Sequence, residues 1–150
     1  MTPFLPFDSG FEERVRLAFS RQAALELIGA QLVSVQPGEV VIALPFRPDL
    51  LQQHGYIHAG LITAIVDTAC GYAAYSLMSP DSAVLTVEFK VNFLSPASGD
   101  CFTATGRVVK PGKAITVCQG EVVASSGGQE KTVAVMQATM MSLNGRGITG

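Results

Sequence analysis

Residues 54–78 read HGYIHAGLITAIVDTACGYAAYSLM. From Ala59 onward the run is apolar on nearly every side of a helix, and such a helix needs burial all round. It is about long enough to span a bilayer. However, Asp67 sits near its middle, where a charge is costly, and the run is rich in small residues rather than Leu and Ile. It therefore reads as a helix buried in a protein core, with no membrane association.

Downstream the period changes from helical to two. In residues 83–94, AVLTVEFKVNFL, an alternating strand would put Leu85, Val87, Phe89, Val91 and Phe93 on one face. Thr86, Glu88, Lys90 and Asn92 would share the other. Further strands follow, FTATGRVV, AITVCQGEVVA and KTVAVMQATMMS, with turn signals at residues 110–113 (KPGK) and 126–128 (SGG). Upstream, AQLVSV and EVVIALPF flank Gln36-Pro37-Gly38, a hairpin turn, and residues 46–57 read as a loop. Residues 9–28 read as one amphipathic helix, started by a Ser9–Glu12 capping box and stopped at Gly29. The order is α β β α β β β β. A curved antiparallel sheet wrapped about the central helix supplies the burial it needs, an α+β plan with an N-terminal helix. Residues 1–150 are expected to form one domain, with 1–8 and 143–150 as loose ends.

Composition narrows the function classes. Hydrophobic residues make up 48% and charged ones 15%, rich in apolar side chains for a monomer, so some of that surface is expected to be buried against another copy of the chain. The net charge is −2, with no basic cluster beyond Lys110–Lys113, so nothing supports nucleic-acid binding. Cys70, Cys101 and Cys118 lie in apolar or alternating runs and read as small buried hydrophobes of a reducing compartment. The N-terminus lacks a basic region followed by an apolar run, so the expected location is the cytoplasm. There is no G-x-S-x-G elbow and no phosphate-binding loop.

Asp67 is the sole carboxylate in the central run, and its helical neighbours Gly60, Thr63, Ala64, Cys70, Gly71 and Ala74 are all small. A carboxylate placed there either accepts hydrogen bonds in a purely structural role or stands ready as base or nucleophile beside room for a ligand. At the start of the same helix, His58-Ala59-Gly60 presents unpartnered backbone N–H groups at the positive end of the helix dipole, suited to an oxyanion. His58 could equally serve as a cap. Asp67 lies about 10–12 Å further along the axis at 1.5 Å per residue, so one helix cannot place both groups around one carbonyl, whereas two antiparallel copies could. His54 and His58 have a metal-compatible spacing, but His54 falls in the loop without a third ligand nearby, so no metal is expected.

HGYIHAGLITAIVDTACGYAA followed by TVEFKVNFLSPASGD resembles the phenylacetyl-CoA thioesterase-like (PaaI-like) branch of the hotdog superfamily, over roughly residues 30–142. The resemblance implies a helix wrapped by an antiparallel sheet, dimers formed through the sheets and often paired into tetramers, and active sites at the dimer interface. It implies hydrolysis of an acyl-CoA to free acid and CoA, with no cofactor beyond the coenzyme A of the substrate. Asp67 matches the family's carboxylate, base or nucleophile. Ala59, aided by Gly60, matches the amide that polarises the thioester carbonyl, and His58 orients the loop or the substrate. Gln52 stands where an Asn is usual, and Thr86 matches a hydroxyl that positions water. Ala59 departs from the commoner Gly. Lys110 and Lys113, and more weakly Arg107, match basic positions that meet CoA phosphates. The alternatives on the same fold are an acyl-thioester hydratase or dehydratase and a non-catalytic acyl-CoA-binding protein.

Overall fold

The computed structural model describes residues 4–148 and 150. Helix α1 (Phe11–Ser20) and helix α2 (Ala23–Ile28) precede the hairpin β1 (Gln31–Gln36) and β2 (Glu39–Pro45). A short 3-10 turn at Pro48–Leu50 leads to the central helix α3 (Ala59–Tyr75). Strands β3 (Ser82–Phe93), β4 (Cys101–Lys110), β5 (Ile115–Ser126) and β6 (Gln129–Asn144) complete the chain. One antiparallel sheet runs in the order β1-β2-β4-β5-β6-β3, placing β3 at an edge. Among the described residues no helix is long and apolar enough to cross a membrane.

The sheet curls around α3 because both surfaces are apolar where they meet. Ile62, Ile65, Val66, Ala69 and Ala73 of the helix are buried with Ile42 and Leu44 of β2, Phe102 and Ala104 of β4, Val122 of β5 and Ala138 of β6. The helix lies unusually close at one point. Gly106 and Gly120 face each other in register on β4 and β5. A methyl group at Gly106 would sit 2.3 Å from the Ala69 carbonyl carbon, and one at Gly120 would sit 2.4 Å from Val66 Cγ2. The two glycines form a seat in the middle of the sheet, and α3 rests in it backbone to backbone.

The N-terminal region departs from the expected single helix. The chain breaks at Arg21 and Gln22, where Gln22 is extended and its side chain donates to the Tyr72 hydroxyl of α3 at 2.7 Å. This long-range bond takes Gln22 out of the helical path. The Ser9–Glu12 capping box does not form either, since α1 starts after Gly10 with no side-chain cap. Asp8 occupies the corner instead, accepting from the Gly10 amide at 3.0 Å and pairing with Arg14 at 2.7 Å. Gly29, in the left-handed region at φ 80°, ends α2 as expected.

Strand β3 departs from strict alternation. Thr86 pairs with Met140 and Glu88 with Thr139, so Val87 is an extra residue, a β-bulge. Phe89, Val91 and Phe93 keep the inner face opposite Ala138, Met136 and Ala134. Thr86, opposite the buried Met140, is carried to that same inner face, while Leu85 goes to the outer one. The grouping of Thr86 with Glu88, Lys90 and Asn92 is therefore corrected. The expected loose ends also need correction: Leu143 and Asn144 continue β6 opposite Ala83 and Ser82. Residues 1–3 and 149 lie outside the described residues.

Candidate active site

The bulge in β3 aims Thr86 at the central helix. Its Oγ1 donates to Asp67 Oδ1 at 2.8 Å, and the same oxygen lies 3.5 Å from the sulfur of Met140 beneath it. Asp67 is half-buried. Burial pushes its carboxyl above the ordinary carboxylate range, and the Thr86 hydrogen bond pulls it part of the way back. One turn further along α3, a methyl group at Gly71 would meet no atom within 4 Å, so the space beside the carboxylate is open. A carboxylate in this setting can act as base or nucleophile once ionised.

A second group of residues gathers at the start of α3. The loop before it is pinned as a narrow excursion by a bridge between Leu51 and Ile57 and by the His58 amide donating to the Leu50 carbonyl at 3.0 Å. Gly55, at φ 86°, closes the loop in a conformation that side chains disfavour. Gln52, Tyr56, His58, Ala59, Ile62 and Phe93 line a cavity of about 550 Å³. The Gln52 side-chain carbonyl accepts from the His54 amide, which leaves its NH₂ group as a donor. His58 caps the helix: its Nδ1 accepts from the Gly60 amide at 2.8 Å.

That cap alters the expected roles. The Gly60 N–H is engaged by His58 and is not free for a substrate oxygen. Ala59 is the first residue of the helix, is exposed, and its N–H precedes the hydrogen-bonded ladder. Of the three residues His58, Ala59 and Gly60, the free backbone donor is thus that of Ala59.

Asp67 and Thr86 do not line the cavity at the start of α3. The eight residues from Ala59 to Asp67 span about 12 Å of helix. The two candidate groups are thus held apart, at the spacing that the sequence implies. The basic candidates are also separated. Lys110 and Lys113 are exposed at the β4–β5 turn. Thr116, which faces Met140 in register as Thr86 does from the other side, receives the Gly112 amide of that turn at 3.5 Å. The turn therefore lies at the Asp67–Thr86 end of the sheet, two to three strand spacings away, roughly 10–15 Å. Arg107 lies on the outer face of the sheet, beside a hollow of about 660 Å³, bonded to Glu39 at 2.8 Å and Glu121 at 3.1 Å. Its charge is committed to those carboxylates.

Among the described residues no group of three or more His, Cys, Asp or Glu side chains is placed to hold a metal ion. Cys70 and Cys118 are buried and Cys101 is partly so. Burial pushes the Cys118 thiol up to about 12 and Cys70 higher still. Neither of these two buried thiols is a nucleophile at neutral pH. The features that single-sequence reading missed are the bulge at Val87, the glycine seat and Met140 under Thr86. Gly106 and Gly120 inside strand-like runs are a local signal for close backbone approach, whereas the bulge and Met140 under Thr86 are relations between strands that a lone sequence does not carry.

Residues 54–131, from the loop before α3 through β5, match the thioesterase superfamily. The chain belongs to this family. A thioesterase family protein from Silicibacter pomeroyi is 46% identical, with a TM-score of 0.89, over 91% of this chain and 100% of that one. The acyl-coenzyme A thioesterase PaaI of Escherichia coli is 29% identical over 133 residues, covering 88% of this chain and 90% of the relative. Its solved structure gives a TM-score of 0.80 at 27% identity, over 89% and 93% of the two chains. A 1,4-dihydroxy-2-naphthoyl-CoA hydrolase of Listeria monocytogenes is 27% identical over 115 residues, 77% of this chain and 91% of its own. This thioesterase therefore has the hotdog fold and is a thioester hydrolase of the PaaI-like type.

Proposed function

We propose that this thioesterase hydrolyses an acyl-CoA to free carboxylic acid and CoA, in active sites completed across a homodimer. The observation that carries the reading is the Asp67 carboxylate, half-buried, bonded to Thr86 and about 12 Å from the amide donors of its own helix. Such a carboxylate needs a second chain to supply the oxyanion donors.

The edge strand β3 supports that partner. It is twelve residues long, and among the described residues no strand pairs with its second edge. Its inner-face residues Phe89 and Phe93, with the adjoining Leu94, are 41%, 48% and 56% exposed. A long apolar edge is a liability unless it is covered, and a second copy aligned along β3 covers it. The resemblance to the PaaI-like branch further favours pairing of such dimers into tetramers. The names of the relatives favour acyl-CoA as the substrate.

In this reading the Ala59 amide of one subunit and its Gln52 side chain polarise the thioester carbonyl. The Asp67 carboxylate of the other subunit either takes a proton from a water whose oxygen bonds to the carbonyl carbon, or attacks that carbon itself to form a mixed anhydride that water then hydrolyses; in both cases the C–S bond breaks and the CoA thiolate leaves and takes up a proton. The Thr86 hydroxyl gives its single proton to Asp67, so its oxygen is left to accept one from the attacking water. Lys110 and Lys113 meet the CoA phosphates. Arg107, already paired with two carboxylates, has no part in this. The mechanism calls on no metal and no cofactor besides the coenzyme A of the substrate. The deciding experiment is hydrolysis of short, medium, long and aromatic acyl-CoAs by the wild type and Asp67→Asn. The variant is expected to lose turnover by roughly 10²–10⁴-fold, the usual worth of a positioned acid or base. Full activity in Asp67→Asn would overturn the reading.

A further inference from the structure

Strand β6 also holds a bulge, and this one opens on the cavity at the start of α3. Val122 of β5 pairs with Ala134 and Val123 with Thr132, so Val133 is the extra residue. Strict alternation would send Val133 outward, since Ala134, Met136, Ala138 and Met140 hold the inner face. Instead Val133 and Ala134 are both buried, at 1% and 0% exposure. The end of β3 secures the bulged backbone, where the Leu94 amide donates to the Val133 carbonyl at 2.8 Å. The valine side chain thereby lines the cavity of about 550 Å³ that Gln52 and Ala59 also line.

We propose that Val133 is a specificity-determining residue, the stop at the buried end of the cavity that sets how long an acyl group the thioesterase takes. The role as a stop rests on the proposed function; the inward placement of the side chain does not. The cavity lining is graded. Gln52 and Ala59, the proposed donors to the thioester carbonyl, keep contact with solvent. Ile57, Ile62, Ala97 and Val133 form the floor, at 3%, 1%, 9% and 1% exposure. A thioester whose carbonyl meets those donors has an acyl arm and a CoA arm. CoA is charged and must lead out to water, so the acyl arm is the one that enters. None of the floor side chains carries a donor or acceptor, so the end of the acyl group that meets them is hydrocarbon.

Of the floor residues, Val133 is the one set apart from the donors. Ile62 lies one turn beyond Ala59 on α3. Ile57 bridges to Leu51 across the loop that carries Gln52, and its amide donates to the Ala97 carbonyl at 3.0 Å. Val133 stands on the sheet, so a change there alters the depth of the cavity and leaves the loop and the helix start in place. One methylene too many or too few in an apolar pocket changes kcat/KM by about 10–200-fold. Removing the two γ-methyl groups of valine is therefore expected to lengthen the preferred chain by about one to two carbons.

The test is a series of saturated straight-chain acyl-CoAs from acetyl to dodecanoyl, given to the wild type, Val133→Ala, Val133→Leu and the control Val40→Ala. Circular dichroism and sedimentation establish that each is folded and assembled. Val40 is as deeply buried, at 0% exposure, but stands on β2, away from β6 and outside the cavity. In the wild type, kcat/KM is expected to peak at one chain length and to fall by about tenfold or more beyond it. The peak is expected to move to longer chains in Val133→Ala, to shorter chains in Val133→Leu, and to stay in Val40→Ala. A peak at the wild-type length in whichever Val133 variants are folded and active overturns the inference. An equal shift in Val40→Ala overturns it too, because general loosening would then explain the change. Calorimetric binding of the same series, with Asp67→Asn added to each protein, separates the stop from the chemistry. Affinity is expected to rise roughly fourfold for each added CH₂ and to cease rising at a length that Val133→Ala displaces. A wild type inactive on every thioester sinks the proposed function. The binding series then decides alone: a displaced break upholds the stop, and an unmoved break or no binding at any length overturns it.

Discussion

Thr86 on the edge strand donates its only hydroxyl proton to Asp67 on the central helix, at 2.8 Å, and does so because a bulge at Val87 turns it inward. Replacing Thr86 by Val keeps the shape and removes the donor. The Asp67 carboxyl, already raised by burial, then loses the one interaction that lowers it. A base or nucleophile must be ionised, so the acid limb of the kcat profile is expected to move to higher pH in Thr86→Val, with a lower plateau. A limb that stays in place would show that Asp67 is not the group titrating there.

The same raised carboxyl has a consequence for stability. Its folded-state pKa lies above the unfolded value, so the protonated form favours folding. That contribution is present below the unfolded pKa and is lost as pH rises through the folded one. Asp67→Asn, which cannot ionise, is therefore expected to melt no lower than the wild type at pH 5 and higher at pH 8. Thermal scans of both proteins across that range check the sign.

The seat under α3 predicts a pair of contrasting variants. Gly106→Ala drives a methyl into the Ala69 backbone, which cannot give way without moving the helix. Gly120→Ala meets the side chains of Val66 and Cys70. Both are expected to destabilise by about 1–3 kcal/mol, the usual cost of overpacking, with Gly106→Ala the worse. Only Gly120→Ala should be partly rescued by Val66→Ala. Denaturant titrations of the four variants decide it, and equal rescue of both glycine variants would contradict the geometry.

The edge strand offers a test of assembly apart from chemistry. Phe89→Lys places a charge on the exposed inner face of β3, a device that blocks edge-to-edge pairing. The variant is expected to sediment as a monomer, to retain its circular dichroism, and to hydrolyse acyl-CoA at a small fraction of the wild-type rate. A folded monomer with full activity would show that each chain is self-sufficient.

Much of this arrangement was readable from the residues because it depends on local pattern. The run from Ala59 to Tyr75 announces a core helix, although the face carrying Gly60, Thr63, Ala64 and Asp67 is not fully buried within the chain, and the spacing from Ala59 to Asp67 already separates the two candidate groups. The Pro37-Gly38 hairpin and the four later strands follow from turn residues and alternation. What escaped was set by partners distant in sequence. The side-chain bond from Gln22 to Tyr72 accompanies the break in a helix that periodicity runs on to Ile28. Asp8, fixed by Arg14, displaces the Ser9 cap. Thr86 changes face because β3 and β6 are out of step by one residue, which alternation within β3 alone cannot reveal. The commitment of Gly60 to His58 was the cap reading that the sequence left open.

The glycine seat has a bearing on how such an enzyme can diversify. Because Gly106 and Gly120 hold α3 against the sheet with no side chain between, the helix can neither rise nor slide. Both proposed half-sites ride on that one rod, so within each chain they stay about 12 Å apart. In the proposed reading, new acyl groups are accommodated by what borders the rod, the edge strand at Phe89 and Phe93 and the loop from Leu51 to Ile57, while each chain offers its two half-sites at an unchanged separation.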